Sequence, residues 1–177
     1  MLKILNKISD VVNEACKAVC AVMMAYLFIV CTLQVIFRRF LNNSLSWSEE
    51  TMRYVFVWMI LLATATTVKE GSGAAIDLLK KKLKSEKALA VQEIVIFILT
   101  GITAFALLKF GITYALSATN MISAAVHIPM HLVYASIPVG SLFTLIHCVN
   151  GIADGIAVLC GKSARLPDTA LEEGSVK

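Results

Sequence analysis

The densest group of chemically capable residues is Leu45-Ser46-Trp47-Ser48-Glu49-Glu50-Thr51-Met52-Arg53-Tyr54. Ser46 and Glu49 have capping-box spacing, in which a hydroxyl and a carboxylate satisfy the free amides of a helix start. Acidic groups there suit the positive end of the helix dipole. Arg53 follows Glu49 by four residues and Glu50 by three, so either carboxylate can meet it on a helix surface. Trp47 and Tyr54 have the amphipathic rings that favour a membrane headgroup zone. Two readings stand. One is a well-capped helix start with interfacial anchors. The other is an ion-pair contact with another membrane protein, because capping alone does not account for three charges at the mouth of an apolar stretch. Arg53 lies about 9 Å past Trp47 along a helix axis. A charge held towards a bilayer core costs about 2.5–3.5 kcal/mol unless it is paired or snorkels. An ion-transport role for the group is disfavoured.

The remaining reactive residues point away from catalysis. His127, His131 and His147 invite a metal or haem, but all three belong to one apolar segment or the loop before it. A bis-histidine haem needs ligands from facing helices. Pro129 reads as a helix-start proline, which places His127 outside the helix. Cys16 and Cys20 share a helix face, yet two thiols do not make a metal site. Cys31, Cys148 and Cys160 complete a set that reads as packing residues, with no disulfide framework. No phosphate loop, nucleophile elbow or HExxH motif occurs. The first apolar segment has no acid at its centre, as a small drug/proton antiporter would require, and no inverted repeat is visible. The chain therefore reads as a non-enzyme without cofactor or metal, unable to transport alone.

The elements that carry these residues follow from composition. The 177 residues are 58% hydrophobic and 16% charged, with a mean hydropathy of +0.79. Soluble domains run nearer 45–50% apolar and about 25% charged. Disorder, a coiled coil and a nucleic-acid-binding domain are excluded, and the net charge of +4 is not a nucleic-acid signal. The apolar residues fall in runs long enough to cross a hydrocarbon core of about 30 Å. Four spans are expected at about 18–37, 47–68, 88–110 and 130–156. Open strands cannot satisfy their edges in lipid, and no alternation suggests a β-barrel. The fold class is an all-α integral membrane protein. It forms a single membrane domain over 1–160 with a polar tail over 161–177.

The first span is too long for a signal-peptide core and ends at Arg38-Arg39 without a small-x-small site, so a retained span is expected. Twelve Lys and Arg residues fall in the N-terminal segment, the second loop and the tail, against four on the other side. The positive-inside rule places both termini and the second loop in the cytoplasm. Residues 2–17 read as an amphipathic helix that lies on the inner membrane surface or runs into the first span. Ile76, Leu79 and Leu83 among Lys80, Lys81, Lys82 and Lys84 suggest a second interfacial helix, whose lysines would meet anionic lipid headgroups. Glu93, Gln92 and Lys109 sit close enough to span ends to reach water. Gly151 and Gly155 have the spacing for close helix approach, beside Asn150 and Asp154. Pro138 is expected to kink the fourth span.

The chain resembles the small membrane subunit, DctQ type, of tripartite ATP-independent periplasmic (TRAP) transporters. The features that carry this are Trp47 with Glu49-Glu50 and Arg53 opening the second span, and Trp58 within it. Gly71 and Ile76-Asp77-Leu78 follow, then Ile128-Pro129 and Ile137-Pro138. The four-span order, the basic second loop and the length agree, over roughly residues 15–160. The segment Gly71-Ser72-Gly73-Ala74-Ala75-Ile76-Asp77 lacks a His that many such subunits carry there. The resemblance implies a bacterial inner-membrane protein that pairs with a large multi-span subunit holding the substrate and sodium sites. A periplasmic substrate-binding protein would deliver a carboxylate or a sialic-acid-like sugar acid. The small subunit would act as a scaffold that widens and anchors the large one. Trp47, Glu49, Glu50, Arg53, Trp58 and Asp77 become the candidate partner interface. A membrane-anchor subunit of a redox enzyme is the alternative from another class.

Overall fold

A long uncharged stretch in lipid must satisfy every backbone group internally, and a helix does so within one segment. In a computed structural model, which describes residues 2–40, 46–70 and 86–159, each expected span is helical. Helix α1 runs Leu2–Phe40, α2 Ser46–Glu70 and α3 Glu86–Ser117. The last span is divided into α4, Met130–Tyr134, and α5, Ser136–Leu159. Among the described residues, four helical segments are long and apolar enough to cross a membrane. Asp77, the second-loop interfacial helix, Cys160 and the polar tail lie outside the described residues.

Three features of the sequence shape these elements. Residues 2–17 do not form a separate surface helix: they continue into the first span as one 39-residue rod, about 58 Å long. The last span breaks at Ala135, three residues before Pro138, whose missing N–H and bulky ring disfavour a regular turn on Tyr134. Pro129 caps α4 with extended backbone (φ −62°, ψ 125°), so His127 does stand outside the helix.

The helices are neighbours in a row, in the order α1, α2, α5, α3, with α1 also reaching α5 at the end where the chain begins. Among the described residues, α3 makes no substantial contact with α1 or α2. We call the end holding the α1–α2 and α3–α4 connections distal, and the opposite end proximal. Of the most apolar stretch of the last span, 39% is buried, against 6% in α1 and 11% in each of α2 and α3. The central helix is therefore the spine. Its contacts are made by small residues, as membrane packing without a hydrophobic drive requires. A Cβ on Gly140 would stand 2.8 Å from Leu61 Cβ, and one on Gly151 2.5 Å from the Phe97 ring. A Cβ on Gly155 would stand 2.7 Å from Ile94. The Gly151/Gly155 pair read from the sequence thus receives α3. Ser136, Ser141 and Thr144 are buried and return their hydroxyls to the carbonyls of Val133, Ile137 and Gly140. Large apolar residues such as Phe28, Phe105 and Phe110 face outward.

Candidate functional site

At the distal end, α2 begins with the charged group, and each acid finds a different partner. Glu50 Oε1 accepts the Tyr54 hydroxyl at 2.6 Å, one helical turn away. Its Oε2 accepts the backbone N–H groups of Ala125 and Val126 at 2.8 and 3.0 Å. Those amides lie in the connection from α3 to α4. This connection closes on itself through Ser123 N–H to Ile128 O at 3.0 Å and Met130 N–H to Met121 O at 2.9 Å. His127 turns it in the left-handed region, at φ 57°. Glu50 is thus a clasp for the distal connection. Glu49 instead accepts Gln34 Nε2 at 2.9 Å and ties α2 to α1.

The helix-surface pairing of Arg53 with either acid does not form. Glu50 has stronger claims from two fixed backbone donors and a phenol, and Glu49 is drawn to Gln34. Among the described residues Arg53 makes no ion pair. It lies exposed on α2 in one stripe with Phe56 and Ile60. Tyr54 is half-buried, with its hydroxyl on Glu50 and Met130 Sδ. Trp58 donates from Nε1 to the Leu132 carbonyl at 3.3 Å, which fixes the start of the last span to α2. Trp47 is 48% exposed and, with Val30, Leu33, Phe37 and Ser48, lines an apolar hollow of about 260 Å³ between α1 and α2. The side chain of Ser46, the hydroxyl half of the capping reading, lies outside the described set.

A second polar constellation sits at the proximal end and was not singled out from the sequence. Lys69 Nζ donates to Ser9 Oγ at 2.9 Å and pairs with Asp10 at 2.5 Å. Ser9 Oγ is 2.8 Å from His147 Nδ1. Lysine can only donate, so Ser9 accepts from it and keeps both a proton and a second lone pair with which to meet Nδ1. Lys17 pairs with Glu70, Asn13 reaches Glu70 at 3.5 Å, and Asn6 donates to Asp154 at 3.4 Å. Ser9 and His147 are almost wholly buried. The signal was present as helical spacing: Asn6, Ser9 and Asn13 on one helix, and His147, Asn150 and Asp154 on another. His147 is thereby engaged in joining α1, α2 and α5.

Comparison with known proteins decides what the membrane row and its polar ends belong to. The sequence model described as "Tripartite ATP-independent periplasmic transporters, DctQ component" matches residues 27–158. The chain belongs to the DctQ family. A Vibrio cholerae protein described as the sialic acid TRAP transporter small permease protein SiaQ is 30% identical over 175 residues, covering 97% of this chain and 98% of that protein. A Haemophilus influenzae protein described as a putative TRAP transporter small permease protein is 27% identical over 79 residues, 45% of this chain and 49% of the relative. The resemblance read from the W-x-E-E-x-x-R spacing is thus established, and this DctQ chain is a multi-pass TRAP transporter small permease component. Nothing in these likenesses supports a redox anchor.

Proposed function

We propose that this DctQ chain is a non-catalytic scaffold for the large multi-span subunit of a TRAP transporter, seated in the bacterial inner membrane with both termini in the cytoplasm. The large subunit carries the substrate through the membrane, driven by a cation gradient. A periplasmic substrate-binding protein delivers that substrate, an organic acid. A sugar acid is favoured by the full-length likeness to a protein described for sialic acid.

The observation that carries this reading is the division of labour at the distal end. Both acids are spent inside the chain on Tyr54, the connection amides and Gln34. Arg53 is left on the outer face of α2 beside Phe56 and Ile60, a cation flanked by apolar surface. Such a face suits a partner helix that offers a carboxylate. Trp47, exposed at the same end, and Arg53 are then the residues that touch the partner. Glu49, Glu50 and Trp58 position them. Asp77 belongs to the proposed interface by family likeness alone.

A mild-detergent pull-down of the tagged chain from its native membrane tests the proposal. A single large multi-span protein in near-equal ratio is expected. Arg53→Ala should reduce its recovery while expression of the tagged chain holds. Full recovery with Arg53→Ala would remove Arg53 from the interface, and recovery of the chain alone after gentle extraction would overturn the scaffold role.

A further inference from the structure

The charged residues that bracket the first three spans do not lie at the same height along the row. Lys69 marks the proximal end of α2 and meets Ser9, which bonds His147. The next residue, Cys148, faces Gly101 of α3, 3.8 Å from the position of a Cβ there. Gly101 is midway between Glu93 and Lys109, which bracket the apolar middle of α3. So α2 becomes charged at the height where α3 is at its apolar centre.

The distal half repeats the offset. Leu61, midway between Arg53 and Lys69, packs on Gly140. One turn nearer the distal end, Ile137 and Pro138 press on Gly111, two residues beyond Lys109. The exposed Lys109 therefore stands near the height of the middle of α2. On the opposite flank the shift runs the same way. Cys20, three residues past Lys17, reaches the Met59 carbonyl near the centre of α2.

With upright helices, Lys109 would sit in mid-bilayer, at a cost of about 2.5–3.5 kcal/mol. Val91 and Val95, 50% and 49% exposed, would stand in water below the level of Lys69. One rigid tilt removes both conflicts, because they have the same sign and size. The offset of eight residues is about 12 Å. It accrues across at most two helix spacings of about 9 Å each, which gives roughly 35° at that full width. That falls at the upper end of the range of about 0–40° seen for membrane helices.

We propose that the four spans cross the bilayer with a common tilt along the row. The proximal stripe Val91, Val95 and Leu99 of α3 then lies among lipid acyl chains, and the distal turns of α3 beyond Lys109 emerge at the headgroups. The occupant of the stripe is lipid because the stripe continues, one turn apart, into Ile102 and Phe105, equally exposed along the same helix.

Two labels read by peptide mass spectrometry on the unfractionated native membrane test this. A photoactivated carbene probe dissolved in the acyl-chain region should modify the peptide holding residues 91–99 and spare residues 111–117. A membrane-impermeant thiol reagent applied to permeabilised membranes should label Leu116→Cys several-fold more than Val95→Cys. The reversed pattern would restore upright helices. Protection of 91–99 from both reagents would mean that protein, not lipid, covers the stripe, and would overturn the assignment of its occupant.

Discussion

Glu50 holds two backbone N–H groups and a phenol at once, and this determines what its replacement should do. Glu50→Gln keeps the shape but exchanges one acceptor oxygen for an amide nitrogen. With that nitrogen turned to the Tyr54 hydroxyl, which can accept as well as donate, the remaining oxygen still meets the Ala125 and Val126 amides but without the carboxylate's charge, which weakens both bonds. Amide hydrogen exchange over residues 121–128 is expected to accelerate markedly, while exchange in the body of α5 holds. Tyr54→Phe should loosen the connection less, since both backbone bonds persist. Unchanged exchange in Glu50→Gln would show that the connection is held by other contacts. The sequence marks Glu50 as special through its spacing with Trp47 and Arg53. It does not reveal the partner. Helix-surface rules offer neighbours three or four residues away, which includes Tyr54, whereas the other two donors are backbone amides some 75 positions later, which no side-chain pattern records. The proximal joint was half legible for the same reason. The helical faces of Asn6, Ser9 and Asn13 and of His147, Asn150 and Asp154 can be read, but their meeting depends on which helices are neighbours.

At the scale of elements, apolar run length located all four spans because the hydrocarbon thickness sets it directly. It did not locate helix ends. Helix α3 continues to Ser117 because nothing after Phe110 interrupts it, neither proline nor charge. Spacing identified Gly151 and Gly155, but it gave no reason to single out Gly140, whose importance lies in the backbone opposite. A Cβ there would meet Leu61 Cβ at 2.8 Å and the Leu61 carbonyl oxygen at 3.1 Å, and a helix backbone cannot yield as a flexible side-chain tip can. Gly140→Ala should therefore destabilise the α2–α5 contact by about 1–3 kcal/mol. Gly101→Ala, where the nearest atom is 3.8 Å away, meets ordinary contact distance and gains helix propensity worth up to about 1 kcal/mol. Thermal unfolding in a fixed detergent should show Gly140→Ala falling clearly below the parent and Gly101→Ala at or above it. Equal midpoints would mean that α2 and α5 slide apart without cost.

For the whole molecule, the row order has a mechanical consequence. Helix α3 is held by α5 and the short α4, and α1 and α2 are held to each other and to α5. Clasps tie this second group at both ends, through Gln34 to Glu49 distally and through Lys69, Ser9 and His147 proximally. The α3 flank has close packing at Gly111, Gly151 and Gly155 instead. Damage on one side of α5 should then stay there, since mutations without shared neighbours act almost independently. Gly151→Leu drives a branched side chain into the Phe97 ring, and α3 is the element free to move away. Hydrogen exchange in lipid nanodiscs should rise along α3 and leave α1 and the proximal half of α2 at parent rates, as a local opening below the global unfolding free energy. A uniform rise across all four spans would mean that the row unfolds as one cooperative unit. The scaffold reading adds a further expectation for the same variant. If the partner binds the α2 face that carries Arg53, Gly151→Leu should loosen α3 without lowering recovery of the large subunit, because among the described residues α3 makes no substantial contact with the α1–α2 pair that presents Arg53.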